Sequence, residues 1–149
     1  MTPADAQRRY MENLQGEVDS ATLYRTLSDI EKNPQLAKVY ERLASVEEAH
    51  AEFWKKRLET ETLDRPAPQL RPHFRARTLS RLARRFGSQV GLPTVNTFEE
   101  MDSGQYDRQP EAMTGGLPAA ERSHARILKA IVEDGLRTQS RRSDRGDAV

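Results

Sequence analysis

Two four-residue segments contain the residue types in this chain best suited to chemistry. Glu47 and His50 lie three positions apart, and so do Glu121 and His124. On an α-helix, positions i and i+3 share one face, so a carboxylate and an imidazole at this spacing can bind one metal ion. Two of the three histidines have this spacing, whereas chance would give it to about one histidine in ten. The pattern predicts two halves of a metal centre on facing helices.

Apolar stripes predict the helices that must position these residues. The first helix is expected over 3–31 and the second over 34–60, separated by the break at Asn33-Pro34. Their stripes are Tyr10, Leu14, Glu17, Ala21 and Tyr24, then Leu36, Tyr40, Leu43, Glu47, His50, Trp54 and Leu58. The short connection favours an antiparallel hairpin in which Glu17 and Glu47 reach similar heights.

A second hairpin is expected over 92–137, with helices from 92 to about 108 and from Leu117 onward. Glu99 precedes Tyr106 by seven positions, as Glu17 precedes Tyr24, which indicates a weak twofold repeat. The repeat favours Glu99 over Glu100, because Glu99 lies on the stripe of Tyr106.

The two hairpins differ in length. Glu17 and Glu47 are 30 positions apart, but Glu99 and Glu121 only 22. Either the second hairpin is about one turn shorter per helix, or the site is completed across a dimer interface.

These patterns define a candidate site of four carboxylates and two imidazoles. The proposed ligands are Glu17, Glu47, His50, Glu99, Glu121 and His124. Oxygen and imidazole ligands suit iron, with manganese or zinc as substitutes, and four negative charges balance two divalent ions. The alternative is that these residues form structural salt bridges at a rim or interface. Tyr24 and Tyr106 either support the ligands by hydrogen bonding or one-electron chemistry, or simply fill the core.

The two hairpins are separated by a basic crossover at 61–91. It contains three prolines and, from Arg65 to Phe98, no acidic residue. A short amphipathic helix is expected over 74–86, which either contacts acidic lipid headgroups or is a solvated crossover helix. His73 has no glutamate three positions before it and is left out of the site. Residues 138–149 are polar and expected to be disordered.

Bulk composition limits the possible functions. The 149 residues suffice for one domain, and 24 Lys and Arg nearly balance 23 Asp and Glu, so no nucleic-acid partner is expected. The absence of Cys excludes disulfides, thiol catalysis and a rubredoxin-type iron centre. Neither a signal peptide nor a membrane span is expected.

Four segments resemble one known family, the erythrin–vacuolar iron transporter proteins, also called membrane-bound ferritins, which are related to rubrerythrin. The segments are LQGEVDSA at 14–21, YERLA at 40–44, EEAHA at 47–51 and LPAAERSHAR at 117–126. The resemblance covers about 10–135 and implies an all-α, ferritin-like four-helix bundle with an additional short basic helix in the crossover.

The same resemblance implies a function. The expected module is a di-iron ferroxidase that oxidises Fe(II) with O2 or H2O2 and supplies or regulates a membrane iron exporter. It would be a homodimer on the cytoplasmic side, with the tail at 138–149 linking it to a membrane domain. The alternatives are a non-catalytic iron sensor or chaperone that gates the transporter, and a rubrerythrin-like peroxidase.

Overall fold

The computed structural model describes residues 2–61, 66–93 and 104–146, with side chains as far as residue 135. Its elements are α1 (Pro3–Ile30), α2 (Pro34–Glu61), α3 (Phe74–Phe86), a 3-10 turn (Ser88–Val90), α4 (Pro110–Thr114) and α5 (Leu117–Gly146). No strand occurs in these ranges, so the predicted all-α class is confirmed. No helix among them combines the length and the apolar composition needed to cross a bilayer.

Helices α1 and α2 form a hairpin whose ends are set by local chemistry. At the start of α1, the Thr2 hydroxyl accepts a hydrogen bond from the Asp5 amide, and the Asp5 carboxylate accepts one from the Thr2 amide. This reciprocal cap satisfies two backbone donors at the helix end. At the start of α2, the Asn33 side chain accepts hydrogen bonds from the amides of Gln35 and Leu36. Both predicted helices are thus confirmed to within one residue at each end.

The core of this hairpin consists of the predicted stripes. Leu14 and Tyr24 of α1 and Tyr40 and Trp54 of α2 are completely buried. The rings of Tyr10 and Trp54 lie 5.4 Å apart, centroid to centroid. Burial of large apolar side chains contributes about 1.5–3 kcal/mol each, so this interface fixes the relative position of α1 and α2.

Helix α3 packs against α1 through small side chains. Residues 66–73 have no regular structure and lead into α3. Ala76, Ser80 and Ala83 form the buried face of α3. At the far end, an ion pair joins Arg84 to Asp29 of α1 with a nitrogen–oxygen distance of 2.8 Å. The predicted short basic helix over 74–86 is therefore confirmed.

The chain divides into two compact units, Met1–Gly91 and Leu92–Val149. In the second unit, residues 104–106 are helical and a turn follows at 107–108, so the helix expected to reach Arg108 ends at Tyr106. Helix α4 lies between the two helices that were expected in the second hairpin. Gly116 then adopts a positive φ of 70°, a conformation that glycine enters at little cost, immediately before α5.

Helix α5 is longer than predicted. Its backbone remains helical to Gly146, nine residues past the expected hairpin boundary at 137, so the expectation of disorder is wrong for 138–146. No proline follows Pro118, and extending an existing helix by one residue costs far less than nucleating one. Polar composition alone therefore did not locate the end of this helix.

Candidate metal centre

Three of the predicted ligands come together inside the α1–α2 hairpin. The Nδ1 atom of His50 lies 3.6 Å from Oε2 of Glu17 and 3.8 Å from Oε2 of Glu47. One ligand atom from each residue lies within 4.8 Å of those from the other two. Glu17 and Glu47 are 2 % and 1 % exposed, and His50 is 8 % exposed. Two carboxylates and an imidazole thus share one buried site, here called the hairpin triad.

The helical period places the hairpin triad in the core. Glu17 follows the completely buried Leu14 by three positions, and Glu47 follows the buried Leu43 by four. These spacings keep each glutamate on the apolar face of its helix. The packing that buries Leu14 and Trp54 therefore also holds the carboxylates away from water.

Electrostatics in the hairpin triad favour a cation. Burial raises the pKa of Glu17 well above its ordinary value, and the neighbouring charge of Glu47 raises it further, whereas hydrogen bonding with His50 opposes the rise. A buried carboxylate is costly unless a positive charge compensates it. A divalent ion among these atoms would supply that charge and keep both carboxylates ionised.

A matching pair lies in the second unit. Glu121 and His124 occupy the second turn of α5, with His124 Nδ1 3.8 Å from Glu121 Oε2. Both are buried, at 1 % and 5 % exposure. Between them, Arg122 points outward and forms an ion pair with Asp107 at 2.8 Å. The second Glu-x-x-His segment thus repeats the geometry of Glu47 and His50.

The other residues considered in the sequence analysis form three groups. Tyr24 and Tyr106 are buried, at 0 % and 1 % exposure, which is compatible with either role suggested for them. Glu99 and Glu100 lie outside the described residues, so the choice between them stays a prediction. His73, which was left out of the site, is exposed and precedes α3, where its amide donates a hydrogen bond to Asp19.

Sequence reasoning overlooked several polar residues around the hairpin triad. Asn13 and Ser20, one helical turn before and after Glu17, are buried. Their i±3 and i±4 spacing from Glu17 was the available signal. Arg25 of α1 forms a bidentate pair with Glu48 of α2, both nitrogen–oxygen distances being 3.0 Å. This pair ties the two helices together beside Glu47.

The donor set fits a first-row divalent metal. Carboxylate oxygens and neutral imidazole nitrogens are the ligands that Fe(II), Mn(II) and Zn(II) accept in helical carboxylate sites. Four-helix proteins with two metal ions use two Glu-x-x-His segments together with one glutamate from each of two other helices. Five of those six residues are buried here, in the hairpin triad and in the Glu121–His124 pair.

Comparison with known proteins adds a family match. The model of the Rubrerythrin family matches residues 11–132, which include both Glu-x-x-His segments. No curated protein and no solved structure matches the chain.

Proposed function

This chain belongs to the rubrerythrin family, and from that premise we propose that it is a di-iron ferroxidase module. Domains of this family are ferritin-like and of the di-iron oxidoreductase type. The family match does not distinguish the erythrin–vacuolar iron transporter branch, so the ferroxidase activity and the transporter partner are proposals.

The observation that carries the proposal is the hairpin triad. Two buried carboxylates and an imidazole on adjacent helices can hold Fe(II) without large rearrangement, because their helices are fixed by the core. We propose that Glu121, His124 and Glu99 complete the site for a second Fe(II). The carboxylates would balance the ionic charge, and each histidine would bind one iron.

In the proposed reaction iron is the substrate. Two Fe(II) ions each lose one electron, and O2 takes up the two electrons with two protons to give H2O2 and two Fe(III). With H2O2 as the oxidant, the same two electrons and two protons give two molecules of water. Because both ions are held within one site, both electrons can pass to one oxidant molecule. This positioning raises the rate of oxidation.

The test is an anaerobic Fe(II) titration of the metal-free protein, followed by admission of air while near-ultraviolet absorbance is recorded. The proposal predicts saturation near two irons per site and a fast rise in absorbance on air. Binding without the rise would indicate the sensor or chaperone alternative. A rise with H2O2 but not with O2 would indicate the peroxidase alternative, and no binding would leave only a structural role.

Variants give this titration its controls. Glu47→Ala combined with Glu121→Ala should abolish stoichiometric binding and oxidation. The matched control, Glu41→Ala combined with Glu133→Ala, removes an exposed carboxylate from each of the same helices and should leave both iron binding and iron oxidation unchanged. If the first pair binds and oxidises iron like the unmodified protein, the assignment is wrong.

Glu99 requires a separate comparison. If Glu99 is a ligand, Glu99→Ala should lower the number of bound irons from two toward one, whereas Glu100→Ala should not. Sedimentation of the protein with and without Fe(II) tests the proposed homodimer. A site completed across a dimer interface would make iron binding depend on protein concentration.

We further propose that the module supplies iron to, or regulates, a membrane exporter from the cytoplasmic face. The resemblance of the four segments at 14–21, 40–44, 47–51 and 117–126 to membrane-bound ferritins is the support for this step. Co-expression with a vacuolar-iron-transporter-like membrane domain, followed by measurement of iron efflux, tests it. Efflux that is unchanged by Glu47→Ala would contradict a role for this site in transport.

A further inference from the structure

Helix α3 has an inverted distribution of side-chain size. The face packed against α1 consists of small residues, Ala76, Ser80 and Ala83. Three of its four large apolar residues point outward instead, with Phe74 72 %, Leu82 40 % and Phe86 67 % exposed, whereas Leu79 is half-buried. A surface helix of a globular protein ordinarily turns its largest apolar side chains inward, so this outer face calls for a partner.

The exposed apolar residues share one side of the helix. With about 100° between successive residues, Phe74, Leu82 and Phe86 fall within an arc of about 120°. The two phenylalanines lie at opposite ends of α3, and Val90 follows in the adjoining 3-10 turn, also exposed. The result is an elongated apolar strip, here called the α3 strip.

Arginines surround the α3 strip. Five exposed arginines occur in this helix, and they are Arg75, Arg77, Arg81, Arg84 and Arg85. No acidic residue occurs in the sequence between Arg65 and Phe98, although Arg84 forms an ion pair with Asp29 of α1. The guanidinium of Arg85 lies 5.7 Å from the centre of the Phe86 ring, so charge and apolar surface are presented side by side.

The α3 strip is held in place at both ends. At the start, the His73 amide donates a hydrogen bond of 2.7 Å to Asp19, and the Gln15 side chain donates one of 3.0 Å to the Arg71 carbonyl. At the other end, Arg84 pairs with Asp29. All these partners lie on α1, so α3 presents its outer face as a fixed part of the hairpin.

We propose that α3 is an interfacial helix that docks this unit onto an anionic lipid bilayer. Charge complementarity selects this partner, because guanidinium groups pair bidentately with lipid phosphates and basic residues near a negatively charged membrane each contribute to binding. The outward phenylalanines and leucine would enter the boundary between headgroups and acyl chains. A nucleic acid would use the arginines but would leave the α3 strip in water. The proposal is independent of the metal centre.

The test is flotation of the full chain with vesicles of phosphatidylcholine alone, or with about a third of phosphatidylglycerol added. Binding is expected to the anionic vesicles only, and to weaken at high salt because surface charges are screened. Each arginine is worth about fivefold in affinity, so Arg81→Gln with Arg85→Gln should weaken binding about twentyfold. Phe74→Ser with Phe86→Ser should weaken it at least tenfold.

Matched controls separate the α3 strip from general charge and hydrophobicity. Arg8→Gln with Arg42→Gln removes two exposed arginines from α1 and α2, and Met113→Ser removes an exposed apolar side chain from α4. We expect these control variants to change the affinity for anionic vesicles by less than threefold. All the substituted side chains are exposed, so circular dichroism should show every variant folded.

Four results would overturn the proposal. The first is failure of the unmodified protein to bind anionic vesicles, and the second is equal binding by the Phe74→Ser, Phe86→Ser variant. The third is that the unmodified protein forms an oligomer and does not bind vesicles, while the Phe74→Ser, Phe86→Ser variant is monomeric. The α3 strip would then be an interface between copies of this chain. The fourth is binding of a labelled oligonucleotide with an affinity equal to that for anionic vesicles. If Phe74→Ser with Phe86→Ser leaves that affinity unchanged, the partner is a nucleic acid instead.

Discussion

Replacing Glu17 by glutamine should stabilise the metal-free protein at neutral pH. The two carboxylates of the hairpin triad lie within 4.8 Å of each other, and at an effective dielectric constant of about 20 their charges repel by about 3 kcal/mol. His50, 3.6 Å from Glu17, offsets part of this when it is protonated. Because Gln has nearly the same shape as Glu, we expect a net gain of about 1–2 kcal/mol, or about 3–6 °C in Tm.

The gain should depend on pH with a definite sign. Because burial raises the pKa of Glu17 above its ordinary value of 4.5, the folded state keeps a proton at pH values where the unfolded chain has released it. The free energy of unfolding of the metal-free protein therefore falls as pH rises from 4.5 through the raised pKa. Glu17→Gln removes this dependence, so its advantage should vanish below pH 4.5 and grow above it.

Urea unfolding of the metal-free protein, followed by circular dichroism at several pH values, measures both effects. The control is Glu48→Gln, which changes an exposed carboxylate paired with Arg25 and should cost at most about 1 kcal/mol. Adding Fe(II) without oxygen should stabilise the unmodified protein, by about 2.7 kcal/mol when the free Fe(II) concentration is about a hundred times Kd. The same addition should stabilise Glu17→Gln far less. A metal-free Glu17→Gln protein that is no more stable than the unmodified one at neutral pH would refute the reasoning.

Three further predictions concern the parts of the fold that hold the site. Leu14→Ala removes a completely buried side chain and should cost about 2–5 kcal/mol in urea unfolding; a loss below 1 kcal/mol would show that the hairpin core can collapse around the cavity. Thr2→Ala breaks the reciprocal cap of α1 and should lower the free energy of unfolding by about 1 kcal/mol. Thr2→Ser keeps the capping hydroxyl, so its free energy of unfolding, measured in the same way, should equal that of the unmodified protein. Arg84→Gln breaks an exposed ion pair with Asp29 and should cost no more than about 1 kcal/mol, with an effect that disappears in high salt.

The hairpin could be predicted from the sequence because its signals are redundant. The stripe through Leu14, the stripe through Trp54 and the break at Asn33-Pro34 all indicate the same two helices. Placing Glu17 and Glu47 at similar heights required only the helical rise and the length of the connection. Their burial together with His50 agrees with that prediction.

Other features could not be read from the sequence. The end of α5 has no proline or composition change to mark it, and α4 is a short helix in a stretch rich in turn signals. The sequence also did not predict that α3 would pack against α1 through its small residues. Its pattern predicted an amphipathic helix but not which face α1 would cover. A helix whose small residues are buried is not identified by periodicity alone, since periodicity ranks faces by apolar character and not by fit.

The short connection between α1 and α2 has a consequence for the order of folding. Only residues 31–33 separate the two helices, so closing this loop costs little entropy, and contacts within such a hairpin form fast. The hairpin triad is complete within the first 50 residues of the chain. We therefore expect pulse-labelled hydrogen exchange to show protection of α1 and α2 before α5, so that a metal-binding half-site is assembled early. A growing chain would then have a place for a metal ion before Glu121 and His124 have been synthesised.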